Sequence, residues 1–143
     1  MTDPQVAATN GSRSLEGVGV VVVSAHPASE LAVASLLNEN CDVRIVRTAE
    51  EALALIRCFA ARVVVTDLVL PRMSGLVLAR RLKSDPTTRD IVVVAIGPFD
   101  AADAETMAKE AGCAAYIRTP FDEQRYVSTV ATALAAESSR ADQ

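Results

Sequence analysis

Apolar residues follow two different spacings that alternate along the chain. Short and nearly continuous runs of valine and isoleucine predict β-strands. These runs lie at residues 18–23, 43–46, 63–65, 91–94 and 114–117. Because they hardly alternate with polar residues, they are typical of strands that are covered on both faces, as in a parallel sheet.

Between the runs, apolar residues recur at i, i+3, i+4 and i+7, the spacing of a helix that buries one stripe. This spacing occurs in residues 49–56, 75–82, 104–111 and 127–134. Thr48, with Glu51 three residues later, predicts a capping box. Asp100 and Asp122 are suitable N-caps for the last two helices, and Gly112 predicts a helix end.

A further helix over residues 27–38 is less clearly patterned, and we infer it from Leu31, Leu36, Leu37 and its position. Five alternating strand and helix units predict a doubly wound α/β fold, because parallel neighbours need crossover connections. Residues 1–16 are rich in small and polar residues and lack apolar periodicity. We therefore expect a disordered leader over 1–16, a folded domain over 17–137 and a disordered tail over 138–143.

The composition narrows the classes of function. A chain of 143 residues, 50% of them apolar, can bury one core but is too short for two ordinary domains. A net charge of -4, two tyrosines, three phenylalanines and no tryptophan argue against nucleic-acid binding. The sequence has neither an apolar stretch of membrane-spanning length nor a signal peptide, so we expect a cytoplasmic protein that does not bind membranes.

The three cysteines predict no covalent or metal framework. Cys41, Cys58 and Cys113 are odd in number and lack Cys-x-x-Cys spacing. This pattern indicates neither a disulfide scaffold nor a zinc site. We expect reduced thiols that are buried as small hydrophobic residues.

The third apolar run ends on a carboxylate, Asp67, and a loop containing Pro71, Met73 and Gly75 follows. The carboxyl ends of parallel strands are where open α/β sheets keep their chemistry. This stretch resembles the receiver domain of response regulators in two-component signalling, whose phosphoacceptor aspartate is followed by a similar Pro-x-Met-x-Gly loop. The resemblance extends over about residues 18–136.

The resemblance implies a flavodoxin-like (βα)5 sandwich with a five-stranded parallel sheet in the order 2-1-3-4-5. It also implies where the rest of a phosphorylation site would lie. In the family an acidic pair after the first strand binds Mg²⁺, a Thr or Ser ends the fourth strand, and a Lys-Pro pair follows the fifth. The residues found at these positions are Ser24, Ala25, Ala95 and Thr119.

Of the family's reactive set, only Asp67 therefore remains, and we expect no metal site and no cofactor. Mg²⁺ requires an oxygen shell that usually includes one or two carboxylates, for which the Ser24 hydroxyl is a poor substitute. A lysine would stabilise a phosphoryl oxygen 4 Å away by about 4 kcal/mol at an effective dielectric of about 20, and Thr119 cannot. Since phosphoryl transfer depends on positioning and charge neutralisation, Asp67 is predicted not to be phosphorylated.

Several residues near this site have two interpretations. Asp67 is either a structural carboxylate that accepts backbone N–H bonds or a working acceptor. His26 either contacts Asp67 and responds to pH or faces solvent in a loop. Tyr116 is either the family's switch aromatic or a packing residue at a binding surface. Strand alternation directs Arg118 away from Thr119, so we do not expect it to replace the missing lysine.

These features favour a stand-alone pseudo-receiver, a non-enzymatic module that acts by protein contact. The family's usual contact surface maps to residues 100–134, with Lys109, Tyr116 and Arg118 as expected contributors. Its mixed charges suit a selective and modest interface. The partner classes that the resemblance implies are a histidine kinase, a phosphotransfer protein or a downstream regulator, and homodimerisation stays open.

Two other functions are considered. The first is a receiver that accepts phosphate from a histidine kinase on Asp67, which would require Mg²⁺. The second is a flavodoxin-like cofactor binder, which is disfavoured because residues 24–28 contain no glycine to form a phosphate-binding loop.

Overall fold

The computed structural model describes residues 15–25, 34, 36–98 and 100–141. The strands are β1 (Gly19–Val23), β2 (Asp42–Val46), β3 (Val63–Asp67), β4 (Val92–Gly97) and β5 (Ala115–Arg118). After β2, the helices are α1 (Ala49–Ile56), α2 (Gly75–Ser84), α3 (Ala101–Glu110) and α4 (Glu123–Ala141). Each predicted strand, and each helix predicted after β2, is present at its predicted place.

All strand pairs are parallel, and the order across the sheet is β2-β1-β3-β4-β5. This confirms the predicted order 2-1-3-4-5 and the flavodoxin-like class. The three central strands have almost no exposed side chains, because helices cover both faces of the sheet. The carboxyl ends of β1, β3, β4 and β5 consequently meet at one edge.

Two hydrophobic clusters form the core, one on each face of the sheet. One cluster takes alternate residues of the central strands together with Leu36 and the buried side of α4. The other packs the remaining strand residues against α1, α2 and α3. Among residues with described side chains, no helix is long and apolar enough to cross a membrane.

The helix ends mostly follow the predicted signals. Thr48 and Glu51 form the reciprocal capping box of α1. The Arg125 amide donates to the Asp122 carboxylate at 2.7 Å, which confirms the second predicted acidic cap. Asp100 is the N-cap residue of α3, as predicted, but its side chain accepts no capping hydrogen bond. Instead, the Asp100 carboxylate pairs with Arg118.

The described ends of the packed domain lie outside the predicted bounds of 17–137. Leu15, placed in the predicted leader, is fully buried in the core, so the packed region begins before residue 17. Helix α4 runs to Ala141, past the predicted start of the tail at residue 138. Of the helix predicted over 27–38, Ala34 and residues 36–38 are helical, while Leu31 and His26 lie outside the described residues.

The cysteine expectation holds for two thiols only. Burial raises the pKa of Cys41 and of Cys113 to about 11, so both remain protonated at neutral pH. Cys58 is exposed, and its thiol donates to the Leu55 carbonyl at the end of α1. The prediction that Cys58 is buried is therefore wrong, because it follows the apolar stripe of α1 by two residues and leaves the buried side.

Tyr126 is the largest fully buried side chain among the described residues, and its ring stacks on Phe121 with centroids 5.1 Å apart. Its hydroxyl is buried without a hydrogen-bond partner in the described structure. Burial, helped by the nearby Cys41 and Asp67, raises the pKa of Tyr126 well above its usual range. A buried hydroxyl without a partner costs about 1–3 kcal/mol of desolvation.

We expect Tyr126→Phe to leave the free energy of unfolding at about pH 7 unchanged or to raise it by about 1 kcal/mol, because it removes only the unpaired hydroxyl. When folding raises the pKa of a tyrosine, the unfolded chain ionises first as the pH rises above about 10, the pKa of an unfolded tyrosine. The folded state therefore loses stability above that pH. The variant should therefore lose less stability above that pH than the native chain. Urea unfolding at about pH 7 and at a pH above about 10 measures both effects.

Tyr116→Phe is the matched control, since Tyr116 is only partly buried. Cys113 also titrates at alkaline pH, but it contributes equally to the native chain and to both variants. A loss of more than about 1 kcal/mol in Tyr126→Phe at neutral pH would show that the hydroxyl has a partner.

Candidate functional site at the carboxyl edge of the sheet

The register of the parallel strands determines which side chains meet at this edge. Val23 of β1 pairs with Thr66 of β3, so Ser24 comes to lie beside Asp67. Ser24 is nearly fully buried, and its hydroxyl donates to Asp67 Oδ2 at 2.6 Å. This length is typical of a charge-assisted O–H···O⁻ bond. The pocket therefore has a serine hydroxyl bound directly to the remaining carboxylate.

The backbone around Asp67 is held at several points. The Thr66 hydroxyl donates to the Asp67 carbonyl at 3.0 Å. Gly75, the first residue of α2, donates its amide to the Leu68 carbonyl at 3.0 Å. A Cβ atom at Gly75 would collide with the Asp67 carbonyl, so glycine is needed for this close approach. Helix α2 thus packs directly against the end of β3.

The loop between β3 and α2 contains backbone strain. Arg72, which follows Pro71, has a φ of 69°, in the left-handed region that favours glycine. Such a residue costs roughly 1 kcal/mol and is held in place by surrounding contacts. Ser74 then caps α2 by accepting the Val77 amide. Residues Pro71, Met73 and Gly75 of the sequence motif therefore belong to a constrained turn that fixes Asp67.

The other predicted site residues are placed differently. Ala95 is fully buried in the cluster that packs against α1, α2 and α3, and it pairs with Tyr116 across β4 and β5. Thr119 is partly buried, and its amide donates to the Gly97 carbonyl at 2.8 Å. Ala25 is exposed. Of the predicted set, the structure therefore shows direct side-chain contact for Ser24 and Asp67.

The possible ligands of a divalent cation are few. Among residues with described side chains, no group of three or more His, Cys, Asp or Glu side chains could hold a metal ion. At this edge, the carboxylate of Asp67 is accompanied by the Ser24 hydroxyl, which already donates to it. Mg²⁺ prefers one or two carboxylates in a near-octahedral oxygen shell, so this donor set does not fit the ion.

The predicted partner-binding face lies on α3, β5 and α4. Lys109 and Arg118 are exposed, and they form ion pairs with Glu105 at 3.7 Å and with Asp100 at 3.6 Å. Tyr116 is partly buried and packs against the cluster under α3. A shallow cavity of about 460 Å³ lies on this side of the domain, lined by Lys109, Ser128, Thr132 and Ala136 among others. Arg118 pairs with Asp100, the residue that precedes α3.

Sequence reasoning missed Tyr126 as part of this region. Its stacking partner Phe121 follows Thr119 and Pro120, which places the aromatic pair beneath the edge. The available signal was an aromatic residue in the first turn of α4, five residues after another aromatic residue.

Comparison with known proteins gives a consistent family. A model of the response regulator receiver domain matches residues 20–131. The polar-differentiation response regulator DivK of Brucella ovis is 34% identical over 84 residues, 59% of this chain and 68% of DivK. A solved protein assigned as a response regulator in Chloroflexus aurantiacus superposes with a TM-score of 0.80 at 25% identity, covering 84% of this chain and 99% of that one. Chemotaxis response regulator CheY4 of Vibrio cholerae shares the fold, with a TM-score of 0.76 at 15% identity over 82% of this chain and 98% of its own.

The bond between Ser24 and Asp67 can be measured by a double-mutant cycle. We expect Ser24→Ala and Asp67→Ala to show a coupling energy of about 1–3 kcal/mol, because a hydrogen bond to a charged group is lost in either single variant. Chemical unfolding of the native chain, both single variants and the double variant supplies the four free energies.

Thr106→Ala combined with Asp67→Ala is the control pair, since the Thr106 hydroxyl donates to Ala102 and shares no partner with Asp67. These two changes should be additive within about 0.5 kcal/mol. A cycle for Ser24 and Asp67 that is equally additive would mean that the bond contributes no specific stability.

Proposed function

Because the chain belongs to the response regulator receiver domain family, we propose that it is an atypical receiver that signals by protein contact, without Mg²⁺-dependent phosphorylation of Asp67. The observation that carries this proposal is the Ser24 hydroxyl bound at 2.6 Å to Asp67 Oδ2. Receiver domains are modules of two-component signalling that interact with other proteins. The proposed departure from the family concerns the chemistry of its phosphorylation site.

The metal is the first component that this pocket supports poorly. A resident Mg²⁺ would neutralise and orient an incoming phosphoryl group in a working receiver. Here Ser24 supplies a neutral hydroxyl, and Ala25 supplies no ligand from its side chain. Ser24 instead stabilises the Asp67 carboxylate by donating a proton in a hydrogen bond. We infer that Asp67 is a structural carboxylate in this protein.

The charge that would stabilise a phosphoryl group is the second missing component. Thr119 occupies the position of the family's lysine, and a hydroxyl cannot supply a unit charge. The nearest basic residue along the chain, Arg118, is 56% exposed in its side chain and pairs with Asp100. Since phosphoryl transfer depends on neutralising developing charge, acceptance of phosphate by Asp67 would be slow.

The third missing component is the hydroxyl that would respond to phosphorylation. Ala95 stands where the family has a hydroxyl that would respond to a phosphoryl group, and its methyl group is buried in an apolar cluster. Tyr116 lies opposite Ala95 in the register of β4 and β5. With no hydroxyl to move toward the site, Tyr116 serves as a packing residue at the partner face.

The proposed partner is a protein of one of three classes: a histidine kinase, a phosphotransfer protein or a downstream regulator. The surface of α3, β5 and α4 has exposed charges of both signs and the shallow cavity described above. Met107 on α3 adds an apolar side chain that is 50% exposed. A polar rim with a small apolar centre is typical of a selective and transient interface.

The alternative is a receiver that is phosphorylated on Asp67 by a histidine kinase. It is favoured by the position of Asp67, which is only partly buried at the carboxyl edge and is followed by the constrained family loop. This function would require the metal that the donor set does not fit. A phosphorylation assay distinguishes the two.

We expect acetyl phosphate with millimolar Mg²⁺ to leave the mass of the protein unchanged. Mg²⁺ alone should leave the melting temperature unchanged, because a ligand stabilises by RT ln(1 + [L]/Kd) and contributes almost nothing when its site is too weak to fill. Intact-mass spectrometry and thermal melting measure the two effects.

The combined variant Ser24→Asp with Thr119→Lys restores one acid and one cation and serves as the comparison. It should bind Mg²⁺ more strongly than the native chain, seen as a rise in melting temperature. A mass gain of one phosphoryl group in the native chain that disappears in Asp67→Asn would establish the alternative function.

Partner binding should depend on the proposed face and not on Asp67. Charge reversals Lys109→Glu and Arg118→Glu should weaken binding to the cognate partner several-fold, because rim charges act on association. Their unfolding free energies should change by less than about 0.5 kcal/mol, since both side chains are exposed. Asp67→Asn should leave the affinity unchanged. Loss of binding in Asp67→Asn, with normal binding in both reversals, would contradict the proposal.

A further inference from the structure

Positive charge is concentrated in one part of this acidic protein. Residues 57–89 contain seven arginine or lysine residues and two aspartates, a net charge of +5 in a chain whose net charge is -4. This segment begins at Arg57, directly after α1, and includes β3, all of α2 and the turn that follows α2. Arg57, Arg80 and Arg81 are exposed. This stretch of the sequence therefore differs in charge from the rest of the chain.

A groove of about 710 Å³ lies between the end of α1 and the end of α2. We call it the arginine groove. Leu53 and Ile56 of α1 contribute partly buried apolar side chains to its lining. Arg57 and Arg81 contribute two guanidinium groups, and Ser84 is one of three hydroxyl-bearing residues. The volume lies within the range of about 300–1,000 Å³ found for pockets that hold small ligands.

The two guanidinium groups are available for recognition. Neither Arg57 nor Arg81 takes part in a salt bridge within the described residues. The salt bridges found there join other basic side chains to Asp42, Glu105 and Asp100. A guanidinium group presents planar donors that match a carboxylate in bidentate fashion. The arginine groove thus offers two sites for carboxylates beside an apolar surface.

The groove also contains one carboxylate, Asp85, which the turn after α2 holds in place. The amide and the hydroxyl of Thr87 donate to Asp85 Oδ1 at 2.9 Å and 2.8 Å. These bonds, the amide bond above all, lower the pKa of Asp85 below its usual range, and the charge of Arg57 acts in the same direction. Asp85 therefore stays ionised.

We propose that the arginine groove binds an acidic peptide segment of a partner protein, with an apolar residue against Leu53 and Ile56 and flanking carboxylates on Arg57 and Arg81. Charge complementarity selects the acidic partner, and the apolar lining selects a peptide over a nucleic acid. None of the lining residues is an aromatic residue on which a base could stack.

This site goes beyond the proposed signalling role and is separate from the face at residues 100–134. Its lining comes from α1, α2 and the turn after α2, whereas that face is formed by α3, β5 and α4. The groove requires neither phosphorylation of Asp67 nor a metal. Its test can therefore fail while the proposed function stands, and the reverse also holds.

The experiment measures fluorescence anisotropy of a labelled peptide, Glu-Glu-Leu-Glu-Glu-Leu-Glu-Glu, titrated with the full chain at low salt. We expect saturable binding that weakens with added salt, as charge pairing requires. The double variant Arg57→Glu with Arg81→Glu should bind about tenfold more weakly. Replacing both leucines of the peptide with serine should also weaken binding, because the apolar contact is lost.

Arg44→Glu with Arg47→Glu is the matched control, since it makes the same charge change at two exposed arginines outside the groove and outside residues 100–134. It should bind the peptide within about twofold of the native chain, and melting curves should show that all variants are folded. Equal losses in the control and the groove variant would reduce the effect to net charge and overturn the proposal. Absence of saturable binding, or tighter binding of a single-stranded oligonucleotide than of the peptide, would overturn it as well.

Discussion

The parallel register between β1 and β3 is the constraint on which the candidate site depends. Val23 lies opposite Thr66, so the next residue of each strand reaches the same point at the carboxyl edge. A shift of one residue would turn Ser24 to the other face of the sheet, because side chains alternate along a strand. The register is in turn secured by valines that are buried on both faces of the sheet. Packing of the core thus determines that a serine hydroxyl meets Asp67.

The sheet also separates the two hydrophobic clusters of the core. Val22 and Val65 belong to the cluster under α4, whereas Ala95 and Tyr116 belong to the cluster under α1, α2 and α3. In this chain the side chain between the edge and Tyr116 is a methyl group, which cannot form a hydrogen bond. A change at Asp67 consequently has no polar route through Ala95 to the partner face. On the proposed function, that face is in its binding form at all times.

Most of the fold could be predicted from the sequence, because the pattern of core residues repeats in each unit. Valine runs and the stripe of each helix after β2 depend on local spacing, and all of them were found at their predicted places. The order of the strands came from the family resemblance, and the structure confirms it. The capping box at Thr48 was predictable for the same reason, since both partners lie three residues apart.

The errors concern contacts between distant residues. Asp100 has the right residue type for a cap, yet its carboxylate is paired with Arg118 from another element. Cys58 lies just beyond a buried stripe, so its exposure depended on where α1 ends. For the site, the sequence identified Ser24 beside Asp67 but could not give the 2.6 Å bond, which depends on side-chain direction. The arginine groove escaped notice because its lining comes from three segments that only the fold brings together.

A receiver without a chemical switch requires another way to make its binding conditional. On the two proposals, two separate surfaces would provide one, because a partner that contacts both gains from an effective concentration that neither contact supplies alone. Surface charges are screened over about 8 Å at physiological salt, so each contact by itself remains weak. If the arginine groove holds an acidic segment while residues 100–134 hold a folded surface, the domain selects partners that carry both features at a compatible spacing. Specificity would then come from geometry and charge, with Asp67 serving to hold the edge of the sheet.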